Sequence, residues 1–553
     1  MSNSKRLLVI FQGLVVVCLL LAGTMLLLEA TGFTFLLTVH RVTSPKVFDP
    51  FFSLEGPIIF FLLLWGLLYY SSGIDFMIIV PLAGLLFAPF LGIEIGLGFM
   101  ALIAGIVGLL RWKCWFETAI SGLSLLGVLE ALALIHWTLL AFGFQTALIE
   151  AALLETEIYY LLSIFAPIPV LVIFFGWILH RYEKPVSKND DKPQGFTRWN
   201  WFLLVSSIAI AFFATLYPYL SSVNPHGLLV GYDFTYYLES AQSVLVYPSQ
   251  IFSKETGGRP VVFLFIYLLQ KISSQDLYSV LWMLPMLLLP FTVVSIGLMS
   301  WEITNNGWIS SWASFFSATS VFIVEFMYGY FLGNMFGLCF ACCFLATLFR
   351  GLKTGHVFNY ILSGIFGLLF FFSHPYTFDL YFSVLIITLI FLLYYEKSYS
   401  TPEIHVILIF LLIFGLFEVA GNSILGRAEA TDAFIALLKT LTIQIRLNFL
   451  EAGFTSNTIL LSLAAFGAWE IKADKIPKLY LQLLLAISGL GFIFLNDMFR
   501  FRLLIDLPLG IFAALGFENV LNYKRLGKAR FIIICFIVLF MLVYLLRSLA
   551  NLI

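Results

Sequence analysis

Apolar runs of about 20 residues recur along this chain, separated by short polar intervals. Wound as a helix, a run of that length covers the hydrocarbon core of a bilayer, roughly 30 Å thick. No water-surrounded core could absorb so many of them. The chain of 553 residues is 61% hydrophobic and 11% charged, where a soluble domain is about 25% charged. The bilayer is therefore the expected solvent and an all-α polytopic membrane protein the expected fold class. A formal net charge of −1 argues against a nucleic-acid partner. The six cysteines lie in or beside apolar runs with no metal-ligand spacing to His, and read as small core hydrophobes.

Spans are predicted near 8–30, 56–72, 74–91, 93–110, 117–141, 158–180, 200–220, 277–300, 308–325, 330–349, 357–373, 378–395, 404–424, 457–471, 477–495, 503–521 and 530–550, about 17 in all. The first reads as a retained signal-anchor. With the N-terminus in the cytoplasm and strict alternation, the inside loops collect about two thirds of the 30 Lys and Arg residues. The expected location is thus the plasma membrane, multi-pass, with long loops at 31–55, 221–276 and 425–456 on the outer face. The polar segment 186–199 reads as a cytoplasmic linker. It divides a six-helix domain of unknown role, 1–185, from a larger membrane domain, 200–553. In the first domain Glu130 and His136 share a span but not a helix face, and read as an interhelical hydrogen bond rather than a site.

Polar groups gather on the outer side of the second domain. "GYDFTYYLESA" carries Asp233, Tyr236, Tyr237 and Glu239 in the first outer loop. "GGRPVVFLFIYLLQKI" (257–272) opens on a turn containing Arg259; its apolar part is too short to cross, so an interfacial helix is expected. "VEFMYGYFLGN" puts Glu325 and Asn334 at a tight outer turn, "SHPYTFD" puts His374 and Asp379 at the next, and "NDMFRFRLLIDLP" puts Asp497, Arg500, Arg502 and Asp506 at the last. Charge beside hydrocarbon is costly, so its convergence on one face suggests a cavity there.

The order and sidedness of these segments over 200–553 resemble the GT-C superfamily of membrane glycosyltransferases, which includes the protein mannosyltransferases and the aminoarabinose lipid A transferases. One departure is Phe234, where several of these families carry a second acid after the first. The resemblance implies a polyprenyl-phosphate-linked sugar donor, an acceptor that is a lipid, a glycan or a protein, and inverting displacement at the anomeric carbon. It makes Asp233 the general base. Arg500 or Arg502 would receive the leaving phosphate. Tyr236, Tyr237, Glu239, Arg259 and His374 would contact substrate, and Glu325 would orient the acceptor or hold a divalent ion such as Mg or Mn. Each residue also has a plainer reading. Asp233 can be a helix N-cap, the arginines can be anchors reaching for headgroups, and His374 before Pro375 can be a turn residue. A transporter or flippase of lipid-linked glycans is the alternative function.

Overall fold

The structure is a computed structural model. It describes residues 195–395 apart from 228, 229, 254, 255 and 257, then 402–424, isolated positions from 460 to 471, 475–494, 506–522 and 529–550, besides 138–139 and 142–144. The expected first domain, the loop 425–456, Arg500 and Arg502 fall outside the described residues. The chain forms two compact units, and the one made of 192–444, 460–518 and 549–553 holds all that follows.

No strand occurs among the described residues. The unit opens with α1 (Arg198–Leu216), whose N-cap Thr197 accepts a hydrogen bond from the Asn200 N–H. Two helices too short to span follow, α2 (Phe234–Val246) and α3 (Pro260–Ser273). Next come α4 (Leu277–Thr304), α5 (Gly307–Ala318), α6 (Val321–Gly329), α7 (Leu332–Thr354), α8 (Val357–Phe371), α9 (Pro375–Tyr395) and α10 (Pro402–Ile424). Two later helices described in this unit are α11 (Ile476–Phe494) and α12 (Leu509–Leu521). Among the described residues, four segments are long and apolar enough to cross a bilayer: Arg198–Tyr219, Leu277–Thr304, Leu332–Thr354 and Pro375–Tyr394. The described part is thus an α-helical membrane protein.

The spanning helices are apolar all round, as lipid on one side and protein on the other require. On α4 the exposed stripe is Met283, Leu287, Phe291 and Leu298, while Leu281, Leu284, Leu289 and Val293 are buried. Close packing between helices rests on small residues. The Ser310 hydroxyl donates to the Gly297 carbonyl at 2.7 Å and Ser311 to the Asn200 carbonyl at 2.9 Å, locking α5 against α4 and α1.

The segment expected as one span over 308–325 is broken. Thr319 and Ser320 turn their hydroxyls back onto the Phe315 and Ser317 carbonyls, at 2.9 and 3.1 Å, and the helix restarts as α6. Two ion-paired or hydrogen-bonded ends give the direction of the bundle. At one end Lys353 of α7 meets Asn305 and lies 3.6 Å from Glu302, both beside the end of α4. At the other the Tyr330 hydroxyl donates to the Leu281 carbonyl in the first turns of α4. So α4 and α7 run parallel, and α5 with α6 makes the return.

At this second end α3 lies as a 14-residue helix, roughly 21 Å long and short of the bilayer core. It buries Val261, Val262, Phe263 and Ile266 and exposes Leu264, Leu268 and Ile272. That two-sided character matches the interfacial helix expected at 257–272. Its start is tied to α8 through the Val261 N–H and the Phe372 carbonyl at 3.2 Å.

Candidate functional site

The site begins with a backbone constraint. Gly231 has φ +106°, and a Cβ there would fall 2.5 Å from the Tyr330 Cβ and 2.8 Å from the Met327 carbonyl oxygen. Only glycine lets the loop lie so close to the α6–α7 turn. Two residues on, the Asp233 N–H donates to the Gly329 carbonyl at 3.0 Å, and the next side chain, Phe234, is buried against the rings of Tyr330 and Tyr278 at 4.8 and 5.4 Å. Asp233 is therefore held from both sides. Gly231→Ala is expected to cost about 2 kcal/mol or more through strain and overlap, read as a lowered unfolding temperature in detergent.

Asp233 occupies the N-cap of α2, yet its side chain makes no capping hydrogen bond to the helix. The carboxylate is half-buried and acts electrostatically on two neighbours, Tyr237 and Arg259. Tyr237, one turn along α2, is fully buried. Its phenol oxygen accepts from Arg259 Nη1 at 2.8 Å and from the Gly333 N–H at 2.9 Å. The ring is packed by Phe263, Tyr330 and Tyr236. Burial and the Asp233 charge push the Tyr237 hydroxyl above the ordinary phenol range, against the opposing pull of Arg259 and the Gly333 N–H. Burial works against the charge on Arg259, but Tyr237, Tyr236 and Asp233 more than offset it, and the guanidinium stays charged. Tyr237→Phe keeps the ring but strands two donors. A loss of about 1–3 kcal/mol is expected, measurable by the same thermal unfolding.

A second cluster shares a wall with the first. Gly333, near the start of α7, is where both meet: a Cβ there would lie 3.0 Å from Arg259 Cδ, 3.1 Å from its Nε and 3.2 Å from His374 Cδ2. His374 is fully buried just before α9. Its Nδ1 lies 2.5 Å from the Thr377 hydroxyl and 3.3 Å from the Thr377 N–H. The Thr377 hydroxyl donates to Asp506 Oδ2 at 2.6 Å, and Asn334 Nδ2 donates to Oδ1 at 3.1 Å. The Tyr381 hydroxyl donates to the Asp506 carbonyl, also at 2.6 Å. Asp506 is 3% exposed, a buried acid with both carboxylate oxygens engaged.

Of the residues singled out in the sequence, Asp233, Tyr236, Tyr237 and Arg259 are brought together, with His374 on the far side of Gly333. Glu239 is exposed, two residues and about 200° round α2 from buried Tyr237. Glu325 does not sit in a turn; it is buried inside α6. Among the described residues no group of three or more His, Cys, Asp or Glu could hold a metal ion. Thr377, Gly231 and Gly333 were not singled out. The spacing of His374 and Thr377, three apart across a helix start, is the signal that could have found Thr377. No protein-family model matches the chain, and no curated protein does. Chemically, a half-buried carboxylate beside a fixed cation and two phenols can take a proton from a hydroxyl and hold an anion next to it.

Proposed function

We propose that the chain is a membrane glycosyltransferase. It moves a sugar from a polyprenyl-phosphate-linked donor to a hydroxyl of a lipid, glycan or protein acceptor, at the outer face of the plasma membrane. The observation that carries this reading is the Asp233 carboxylate, which stands at a helix start without capping it and faces a charged arginine. In the reaction Asp233 takes the acceptor hydroxyl proton as the oxygen attacks the anomeric carbon. The bond from that carbon to the donor phosphate oxygen breaks, and the departing phosphate gains negative charge. Arg259 meets that charge with a planar fork already fixed by Tyr237. Tyr236, half-buried on the same helix, supplies an aromatic face for the sugar, while buried Tyr237 holds the arginine. A position at the end of the spans, beside the exposed apolar edge of α3, suits a donor whose tail stays in the bilayer.

A second reading, a flippase of lipid-linked glycans, is favoured by one observation: the break at Thr319–Ser320 followed by buried Glu325, since interrupted helices near buried acids serve transporters. One preparation separates the two. The full chain in proteoliposomes is given a radiolabelled polyprenyl-phosphate-sugar pool with membrane extract as acceptor source. Label leaving the donor for a new product, dependent on the chain, is the expected result. Donor crossing the bilayer unchanged, with no product, would replace the first reading by the second.

A further inference from the structure

The His374–Thr377–Asp506 string admits two arrangements of its protons. The Thr377 hydroxyl has a single hydrogen and two partners, His374 Nδ1 at 2.5 Å and Asp506 Oδ2 at 2.6 Å. An ionised Asp506 accepts only, so the hydroxyl points to it and must itself accept from a protonated Nδ1. But Nδ1 also lies 3.3 Å from the N–H of Thr377, the third residue of α9, in the geometry of an N-cap acceptor. That contact requires a bare lone pair on Nδ1. The hydroxyl then donates to Nδ1, and Asp506 carries a proton to give to Thr377. This second arrangement meets every contact with a neutral acid; the first keeps the carboxylate charged and gives up the Thr377 N–H contact.

We propose that these three residues form a proton relay: Thr377 passes a proton between the His374 imidazole and the Asp506 carboxyl. In one direction, with His374 as the imidazolium, the Nδ1–H proton moves to Thr377 Oγ1 as the Oγ1 proton moves to Asp506 Oδ2. One N–H and one O–H bond break, two O–H bonds form, the ring is left neutral with its hydrogen on Nε2, and the carboxylate becomes neutral. Cδ2 of the ring would lie 3.2 Å from a Cβ at Gly333, the spot that also carries the Arg259 stem, so the imidazole is the end of the string on the Asp233 side. Proton chains of Asp and His inside membrane domains serve this purpose elsewhere. Here the proton to be removed is the one that glycosyl transfer releases, and in that respect the inference rests on the proposed function. The charged or titratable groups around the string are Arg259, across Gly333; Tyr376, whose ring is 6.1 Å from His374; and Tyr381, on the Asp506 carbonyl.

The test is infrared titration of the full chain in proteoliposomes. The carboxyl C=O stretch of Asp506 is assigned by its loss in Asp506→Asn, and the His374 ring modes by their loss in His374→Gln. The relay requires that the Asp506 carboxyl band and the His374 modes change together with pH in the wild type and in Thr377→Ser. They must uncouple in Thr377→Val, which keeps the shape and removes the hydroxyl. Sugar transfer should fall at least about tenfold in Thr377→Val and remain near wild type in Thr377→Ser. An Asp506 that stays ionised at every pH, or a Thr377→Val protein titrating like the wild type, would overturn the relay and leave the string a tether. Should Thr377→Val not fold, the His374 titration in Asp506→Asn decides: a shift supports the relay, an unchanged curve overturns it. The infrared result needs no turnover, so a chain without transferase activity can still pass or fail it.

Discussion

Asp233→Asn is expected to lower sugar transfer by about a hundredfold or more at equal expression. The substitution is nearly isosteric. The backbone contacts that seat residue 233, its N–H on Gly329 and its carbonyl accepting from the Tyr237 N–H at 3.1 Å, survive it. Because the wild-type side chain makes no cap bond, asparagine takes nothing away from α2. Thermal stability should fall only modestly, because the charge that helps offset the burial of Arg259 is withdrawn, while the proton acceptor is gone. The measurement pairs initial rates with unfolding temperature. A rate that stays within a few-fold of wild type would remove Asp233 from the chemistry. A fall in rate matched by a large fall in stability would assign it a structural role instead.

Arg259→Gln is expected to lower kcat by a factor of about a hundred to a thousand, the range seen when one fixed donor to a developing anion is lost. Glutamine carries no charge and ends about where the arginine Nε lies, so it gives up both the cation and the Nη1 donor to the Tyr237 phenol. Arg259→Lys keeps the charge and loses the fork, so it should recover only part of the rate. Removing the guanidinium also withdraws the positive neighbour of Asp233. The carboxylate then holds its proton more readily, and the acidic limb of the pH–rate profile should move to higher pH. A change confined to KM, with kcat and the profile intact, would mean that Arg259 binds substrate uniformly and does not act on the leaving phosphate.

How much of this was legible in the sequence depended on length scale. Helix positions were, because a bilayer demands long apolar runs: the predicted 200–220, 277–300 and 378–395 answer to α1, α4 and α9. The short helix over 260–273 was legible for the same reason, being apolar but too short to cross. The break between α5 and α6 was not. Hydropathy averages over Thr319 and Ser320, whose effect comes from hydroxyls that bond back to the helix. Asp233, Tyr237 and Arg259 stood out as polar groups in an apolar chain, yet the second donor to the Tyr237 phenol, the Gly333 N–H, is a backbone atom and has no signature. The Asp506–Thr377 bond joins residues 129 apart in sequence, a pairing that periodicity cannot express. Thr377 drew no notice on composition, because a threonine in a membrane helix ordinarily bonds its own backbone; only its spacing from His374 marks it.

The Tyr330 hydroxyl on the Leu281 carbonyl, noted above as a mark of helix direction, has a mechanical consequence. Tyr330 belongs to the same turn whose Gly329 carbonyl holds the Asp233 N–H. α4 has 28 residues, about 42 Å, more than the hydrocarbon thickness it must cross. Through this one turn the backbone that seats Asp233 is continuous with the start of the longest described helix, so the acid is anchored to the membrane bundle itself and not to a free surface loop.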